Sequence, residues 1–289
     1  MSTFKQIILL LSLLYLAKSQ YTDEDWNYVN HGKDWNETFP LCGKGQQSPG
    51  IINDSIVERL DKAYFFYANL NLKQGETKIG TLESLQNNNT LSLSFQDLGN
   101  VTYIKKNNSW FSNDEYIFVE ARCHNILIKI PGEHYNDKID ADGELQVNCT
   151  FQTEEGKPSG VFVSLPIKIV DNETKASDFS NILHYIVEEG TTIKDLPKNI
   201  TFDSIDIIDG YAMMDGVYYY EGQTNYPPCD VYSIWFYVNK TVAFTDDVIE
   251  QLKKCIDEEK CPDGNNRYPF EVNDLNLYPQ EKNSKSNII

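Results

Sequence analysis

The stretch YIFVEARCHNILIKI occupies residues 116–130, and the stretch ELQVNCTF follows it at residues 144–151. Both are dominated by aromatic and aliphatic residues, and polar residues alternate with apolar ones along much of each stretch, which is typical of β-strands. Similar runs occupy residues 90–95, 161–169 and 234–238, with Asn, Gly and Asp between them. The pattern predicts several strands of one mostly β domain.

Two segments show helical rather than strand periodicity. In the first, Asp178 is placed to cap a helix whose apolar positions are Phe179, Ile182, Leu183, Ile186 and Val187. The second begins at Thr245, and its apolar stripe is Val248, Ile249, Leu252 and Ile256. The chain of 289 residues has no internal repeat and no linker-like segment. A single domain is predicted, because all-β domains often reach this size.

The first residues have the organisation of a signal peptide. Lys5 precedes an apolar run at residues 7–17, and the small residues Ala17 and Ser19 stand at the two positions that a signal peptidase reads. That run is too short to span a bilayer, and no second apolar stretch of about 18 residues follows. The sequence thus divides into a signal peptide at 1–19, a folded domain at 20–280 and a polar tail at 281–289.

The composition after the signal segment fits an oxidising compartment. All six cysteines lie after the signal segment, and the formal net charge of the whole chain, −18, argues against nucleic acid and anionic membranes as partners. Glycosylation sequons (Asn-x-Ser/Thr) begin at Asn36, Asn53, Asn88, Asn100, Asn107, Asn148, Asn172, Asn199 and Asn239. We therefore predict a secreted glycoprotein, located outside the cell or in the lumen of a secretory vesicle.

Several separated motifs, in this order, resemble those of the alpha-class carbonic anhydrases. They are WNY (26–28), Trp35, GQQSP (45–49), NNNTL (87–91), GEH (132–134), ELQ (144–146), YEG (220–222), PPC (227–229), Trp235 and GNNR (264–267). The resemblance covers nearly all of the chain after the signal segment. It implies a mostly β single domain with a large, mainly antiparallel twisted central sheet and a few short peripheral helices.

The chemistry of that family needs three neutral imidazoles on one zinc ion. Two stand at i and i+2 on one strand, and the third comes from the neighbouring strand. Zinc lowers the pKa of its bound water to about 7, so that hydroxide can attack carbon dioxide. This chain has only four histidines, His31, His124, His134 and His184, and no His-x-His pair.

Aligned with the family, the first zinc-ligand position holds Arg122, the second keeps His124, and the third holds Gln146. Arginine stays protonated and only donates hydrogen bonds, and a glutamine amide is a weak zinc ligand. An alternative register that places Lys129 against the Gly132-Glu133-His134 motif supplies no imidazole at all. The resemblance therefore predicts no metal site and no cofactor, with His124 interpreted as a core histidine.

Other positions that the family uses in catalysis also differ. Asn89 stands at the proton-shuttle position, and Asn225 replaces the hydroxyl that orients the zinc-bound hydroxide, with the bulky Tyr226 beside it. Polar residues stand at usually aliphatic pocket positions: Asn148, Thr224 and Ser233. Val163 and Trp235 keep apolar wall character.

The acidic residues that surround the metal ligands in the family persist as Glu133 and Glu144. A cation buried beside them would explain this, because a buried charge needs partners. We expect the Arg122 side chain to lie inside the former metal site, hydrogen-bonded to Glu120, Glu133 or Gln146.

The resemblance also implies a disulfide between Cys42 and Cys229, the pair that secreted members form. A bridge between Cys123 and Cys149 on adjacent strands is feasible. Cys255 and Cys261 pair by elimination and proximity, although six cysteines permit fifteen connectivities.

The pattern of Arg122, His124 and Gln146 resembles the secreted acatalytic carbonic-anhydrase-related proteins. This resemblance predicts a non-catalytic domain that binds an extracellular protein or glycan, or acts structurally. The alternatives are a zinc-dependent carbon dioxide hydratase or residual esterase with a degenerate site, and a storage or coat protein without a specific ligand.

Overall fold

The computed structural model describes residues 26–60, 66–73, 79–85, 90–106, 116–152, 158–171, 175–188, 204–207, 216–256 and 259–278. The strands are β1 (Ile51–Ile52), β2 (Glu58–Arg59), β3 (Phe66–Lys73), β4 (Ile79–Leu85), β5 (Thr90–Lys106), β6 (Tyr116–Lys129), β7 (Tyr135–Asn136), β8 (Gly143–Gln152), β9 (Pro158–Val170), β10 (Ser204–Asp206), β11 (Val217–Gln223), β12 (Tyr232–Val238), β13 (Val242–Thr245) and β14 (Asn276–Leu277). The helices are α1 (Trp35–Thr38), a 3-10 helix (Pro40–Gly43), α2 (Asp178–Glu188) and α3 (Asp246–Lys254). The five strand predictions are confirmed by β5, β6, β8, β9 and β12.

One 12-stranded sheet dominates the fold, in the order β10-β3-β5-β6-β8-β9-β12-β11-β14-β2, with β4 beside β5 and β13 beside β9. Most neighbouring strands run antiparallel, whereas β9 runs parallel to β12 and β13, and β14 runs parallel to β2. A second, small sheet pairs β1 with β7 in parallel. The predicted fold class is confirmed.

The two longer helices lie where helical periodicity predicted them. Helix α3 begins directly after Thr245, and its apolar stripe is buried. Helix α2 begins at Asp178, but the backbone N–H of Ser180 donates to the hydroxyl of Ser177 at 3.1 Å. The cap is therefore Ser177, and the prediction that Asp178 caps this helix is wrong.

The pairing of β6 with β8 positions the polar side chains of the sheet. Lys129 lies opposite Glu144, and Leu127 lies opposite Gln146. Directly opposed residues of an antiparallel pair point to the same face, and positions i and i+2 of one strand share a face. These four side chains therefore project together on one side of the sheet.

Two predicted disulfides are confirmed. Cys123 lies directly opposite Cys149 and is bonded to it, which links β6 to β8. Cys42 is bonded to Cys229 across 187 residues of sequence.

The predicted bridge between Cys255 and Cys261 is wrong. Cys255 follows the last turn of α3, is exposed, and its thiol donates to the Gln251 carbonyl at 3.5 Å. Cys261 is buried. The helix end therefore points Cys255 to solvent while Cys261 packs inward, so the two thiols are not bonded in the described part of the chain.

The two faces of the sheet carry separate apolar clusters. The larger cluster includes Val147 and Val163, together with residues of α2 and α3. The smaller cluster lies on the opposite face and includes Leu127, Phe162 and Trp235. Because Val163 belongs to the larger cluster, the prediction that it lines the same wall as Trp235 is wrong.

Some sequence predictions fall outside the described residues. They are the signal peptide at 1–19, the tail at 281–289, the shuttle position Asn89, and the sequons at Asn88, Asn107, Asn172 and Asn199. Within the described part of the chain, no helix is long and apolar enough to cross a bilayer.

Candidate functional site

A buried polar network fills the sheet face that carries Leu127 and Gln146. Its centre is Glu144, which is 1% exposed. One carboxylate oxygen accepts from the backbone N–H groups of Glu133 and His134 at 2.9 and 2.8 Å. The other lies 2.8 Å from the His134 ring and accepts from the Gln146 amide and the Ser164 hydroxyl at 2.8 and 2.7 Å. Both oxygens of Glu144 are thus held by protein donors.

The amide of Gln146 joins the two buried carboxylates. Its nitrogen donates to Glu133 and to Glu144, at 2.8 Å in each case. Its oxygen accepts from the amide of Asn225 at 2.8 Å, and Asn225 also donates to Glu133. The structure therefore brings Glu133, Glu144, Gln146 and Asn225 together, as the sequence predicted.

Lys129 supplies the positive charge of this network. Its ammonium lies 2.8 Å from Glu133, and both side chains are fully buried. It also donates to the Tyr28 hydroxyl at 2.6 Å and to the Asn265 carbonyl at 3.3 Å. All three N–H donors of the lysine therefore have partners, which is the condition under which a buried ion pair is tolerated.

The protonation states of the network are fixed by these contacts. Burial alone would lower the pKa of Lys129, but the Glu133 carboxylate and the Tyr28 hydroxyl raise it above its ordinary value. Burial alone would raise the pKa of Glu144, but the nearby His134 and the Gln146 amide lower it to about 2. Lysine is nucleophilic or basic only when it is deprotonated. A permanently charged, fully hydrogen-bonded Lys129 performs neither role at neutral pH.

Aromatic side chains pack around the network. Phe162 and Trp235 stack at 4.3 Å between ring centroids with 10° between their planes. Tyr226 contacts both apolar clusters of the sheet. Burial raises the pKa of Tyr226, and the nearby Lys129 ammonium acts in the opposite direction. Tyr226, the bulky residue beside Asn225, therefore lies close to Lys129.

Arg122 does not lie in this network. It is exposed, and it stands opposite Thr150, four residues along β8 from Gln146. At about 3.3 Å per residue, this separation is roughly 13 Å. Glu120 is also exposed and accepts from Asn100 at 2.9 Å. The prediction that Arg122 occupies the former metal site, paired with Glu120, Glu133 or Gln146, is wrong.

The four histidines lie in four different places. His134 holds Glu144 with one ring nitrogen and the Tyr220 hydroxyl with the other, both at 2.8 Å. His31 contacts the Asn266 carbonyl, and His184 on α2 lies 3.0 Å from Asp247. His124 is half-buried at the register shift of β6, and burial lowers its pKa. Within the described residues, no group of three His, Cys, Asp or Glu side chains is placed to bind a metal ion.

The sequence over residues 30–278 matches the eukaryotic-type carbonic anhydrase family. The chain belongs to this family. No curated protein sequence matches the chain significantly.

Solved structures share its fold at low sequence identity. Dioscorin complexed with ascorbate is 18% identical, with a TM-score of 0.63 over 90% of this chain and 100% of dioscorin. A halotolerant carbonic anhydrase from Dunaliella salina is 15% identical, with a TM-score of 0.65 over 90% of this chain and 99% of the enzyme. The alpha-carbonic anhydrase from Thermovibrio ammonificans, in complex with sulfanilamide, is 15% identical, with a TM-score of 0.58 over 88% and 98%.

The zinc that the family implies does not fit the residues present. If Gln146 stands at the third ligand position, the two ligands of the neighbouring strand must stand opposite and beside it, at i and i+2. Leu127 stands opposite Gln146, and the residues two positions away on the same face are Asn125 and Lys129. A hydrocarbon, a protonated ammonium and a fully hydrogen-bonded amide offer no set of neutral nitrogen donors. Lys129 stands opposite Glu144 and forms an ion pair with Glu133, so the alternative register, which supplies no imidazole, is closer to the structure than the one that places Arg122 at the site.

Sequence reasoning missed Leu127, Lys129 and Phe162 as residues of this face. A bridge between Cys123 and Cys149 was an available signal, but it locates these positions only to within one residue. In an antiparallel pair the numbers of opposed residues have a constant sum, so the bridge alone would place Ile126 opposite Gln146. The register shift between Cys123 and Asn125 puts Leu127 there instead. With this bridge, Arg122 stands opposite Thr150, four residues along β8 from Gln146, and does not pair with it.

Proposed function

We propose that this chain is a secreted carbonic-anhydrase-fold protein without the family's hydration activity, and that it acts by binding an extracellular protein or glycan or as a structural component. One observation carries the proposal. The ammonium of Lys129 is fully buried 2.8 Å from Glu133, on the same sheet face as Gln146, which the family resemblance assigns to the third zinc-ligand position. A cation held there would repel a metal ion, and no hydroxide-generating centre could form around it.

Two further features support the proposed location and mode of action. The disulfides that join Cys42 to Cys229 and Cys123 to Cys149 are typical of oxidising compartments. The net charge of −18 favours cationic or neutral partners over nucleic acid. Dioscorin, a protein of the same fold, was crystallised with ascorbate, so the fold is compatible with ligand binding.

The test is the zinc content and hydration rate of the protein secreted by a eukaryotic host. We expect less than a tenth of one zinc per chain after incubation with excess zinc and gel filtration, and carbon dioxide hydration at the rate of buffer alone. Stoichiometric zinc that survives a chelator, or hydration that a sulfonamide inhibits, would overturn the proposal in favour of the enzyme.

A further inference from the structure

A pocket of about 280 Å³ opens on the surface beside helix α1, away from the buried network. Its walls include Lys33 and Asn36 from one side, Gly43 from the 3-10 helix, and Tyr268 and Phe270 from the C-terminal segment. This cavity is named the Asn36 pocket. We propose that Asn36 carries an N-linked glycan and that the first sugar of this glycan lies in the Asn36 pocket. The proposal rests on the secretory location proposed above.

Asn36 differs from the other sequon asparagines of the described residues. It is exposed, whereas Asn53, Asn100, Asn148 and Asn239 are each partly buried. The amide nitrogen of Asn100, where a sugar would attach, donates to Glu120 at 2.9 Å. The amide oxygen of Asn53 accepts from the backbone and the hydroxyl of Ser55. Because a folded glycoprotein must leave the modified amide free and open to solvent, Asn36 is the site that the fold accommodates best.

The pocket offers surfaces that suit a sugar ring. The rings of Tyr268 and Phe270 lie 4.4 Å apart at 40°, and the Lys33 ammonium lies 5.8 Å from the centre of the Tyr268 ring. An aromatic face contacts the C–H groups of a sugar, while an ammonium donates to its hydroxyl or acetamido oxygens. The volume is near the lower limit of about 300 Å³ for ligand pockets. It therefore holds one monosaccharide of the glycan and leaves the remaining sugars outside.

Gly43 leaves space for the Asn36 side chain beside the 3-10 helix. A Cβ atom on residue 43 would lie only 2.9 Å from the Cβ of Asn36. On the inner side of the pocket, the guanidinium of Arg267 lies 4.6 Å from the centre of the Phe270 ring and donates to the Cys42 carbonyl at 2.8 Å. A sugar in the pocket therefore covers the contacts by which Arg267 and Phe270 of the C-terminal segment pack against the segment around Cys42.

The first part of the test maps glycans on the full chain secreted by a eukaryotic host. Peptide mass spectrometry after enzymatic removal of glycans in heavy-oxygen water marks each occupied asparagine. We expect Asn36 to be marked in most molecules. The Thr38→Ala variant destroys its sequon and should lose this mark, whereas Thr38→Ser preserves the sequon and should keep it.

The second part asks whether the first sugar lies in the pocket. An endoglycosidase that leaves one N-acetylglucosamine should not change the melting temperature, whereas complete removal should lower it by about 2–4 °C. Thr38→Ala should show the same decrease, which excludes an effect of the aspartate that enzymatic removal creates. In Tyr268→Ala, trimming to one sugar and complete removal should give equal melting temperatures.

The outcomes separate the two proposals. Occupancy at other sequons with Asn36 unmodified overturns the glycan proposal and leaves secretion supported. A chain that stays in the cytosol without any glycan overturns both. Equal melting temperatures with and without the first sugar in the unmutated protein overturn its placement in the pocket.

Discussion

The two ends of strand β6 carry cations in opposite environments. At the inner end, Lys129 is fully buried and holds Glu133. At the outer end, Arg122 and Glu120 are exposed, and Phe118 is 64% exposed. A register shift and a disulfide separate the two ends. A charge therefore replaces a metal ion only where the strand register places it at the site. Its presence in a segment that resembles the metal-binding strand of the family is not sufficient.

The largest expected effect comes from rebuilding the zinc site at the inner end. We predict that Leu127→His, Lys129→His and Gln146→His together give a protein that binds zinc with at least 100-fold greater affinity than the unmutated chain, since the three side chains share one face. Binding to the folded state alone should also raise the melting temperature with zinc concentration. Isothermal calorimetry and thermal denaturation measure both effects.

The matched control places histidines at the positions that motif alignment selects. Arg122→His with Gln146→His should bind no more zinc than the unmutated protein, because roughly 13 Å separates these positions along the strands. Equal zinc affinity of the double and triple variants would contradict the register of β6 and β8 that places Leu127 and Lys129, rather than Arg122, near Gln146.

The next effect is on stability. Lys129→Met removes the cation that faces Glu133 and leaves a buried carboxylate unpaired, so we predict a loss of about 3–5 kcal/mol in the free energy of unfolding. Arg122→Met makes the same chemical change at the exposed outer end, and its effect should stay within about 0.5 kcal/mol. Denaturant titration of the two variants compares the ends of β6 directly. Similar losses in both would contradict the assignment.

Removing the disulfide between the two ends should have a slightly smaller effect. The bridge closes 26 residues of sequence, and the chain-entropy relation gives about 3–4 kcal/mol for a loop of this length. In Cys123→Ser with Cys149→Ser, hydrogen exchange should accelerate at the outer end of β6 more than around Lys129. Uniform acceleration along the strand would indicate that the inner network depends on the bridge.

The smallest effect concerns acid. The pKa of Glu144 is lowered from 4.5 to about 2, so the stability that its ionised form contributes is complete above about pH 5 and is lost as the pH falls toward 2. We estimate this contribution at about 3 kcal/mol. Glu144→Gln should flatten the stability profile between pH 5 and 2. Glu120→Gln at the exposed end should leave the pH dependence of the free energy of unfolding unchanged. A flattened dependence in this variant would contradict the assignment of the acid sensitivity to Glu144.

The strands of this fold could be predicted because alternating and apolar runs depend on local sequence. The sheet order and the register could not be predicted in the same way. Segment 120–124 alternates polar with apolar residues, whereas segment 125–129 is an apolar run between Asn125 and Lys129, and either segment can supply a face with two polar side chains. Choosing by the one surviving histidine favoured Arg122 and His124. The register shift between Cys123 and Asn125 brings Lys129 to the site, opposite Glu144, and no local pattern of polar and apolar residues marks this shift.

The composition of the site was predicted more accurately than its geometry. Gln146, Glu133 and Asn225 come together as the motifs indicated. The principle that a buried cation accompanies the retained carboxylates also holds. The residue was wrong, since burial of a long charged side chain depends on contacts from distant segments, here Tyr28 and Asn265.

The charge that faces Glu133 is part of the polypeptide. A metal centre must be loaded after synthesis, and its occupancy depends on the zinc supply of the compartment and on competing chelators. Lys129 is part of every synthesised chain, and the folded protein holds it against Glu133 without any added component. The positive charge of this site is therefore encoded in the sequence, is the same in every molecule, and does not depend on the zinc concentration of the compartment.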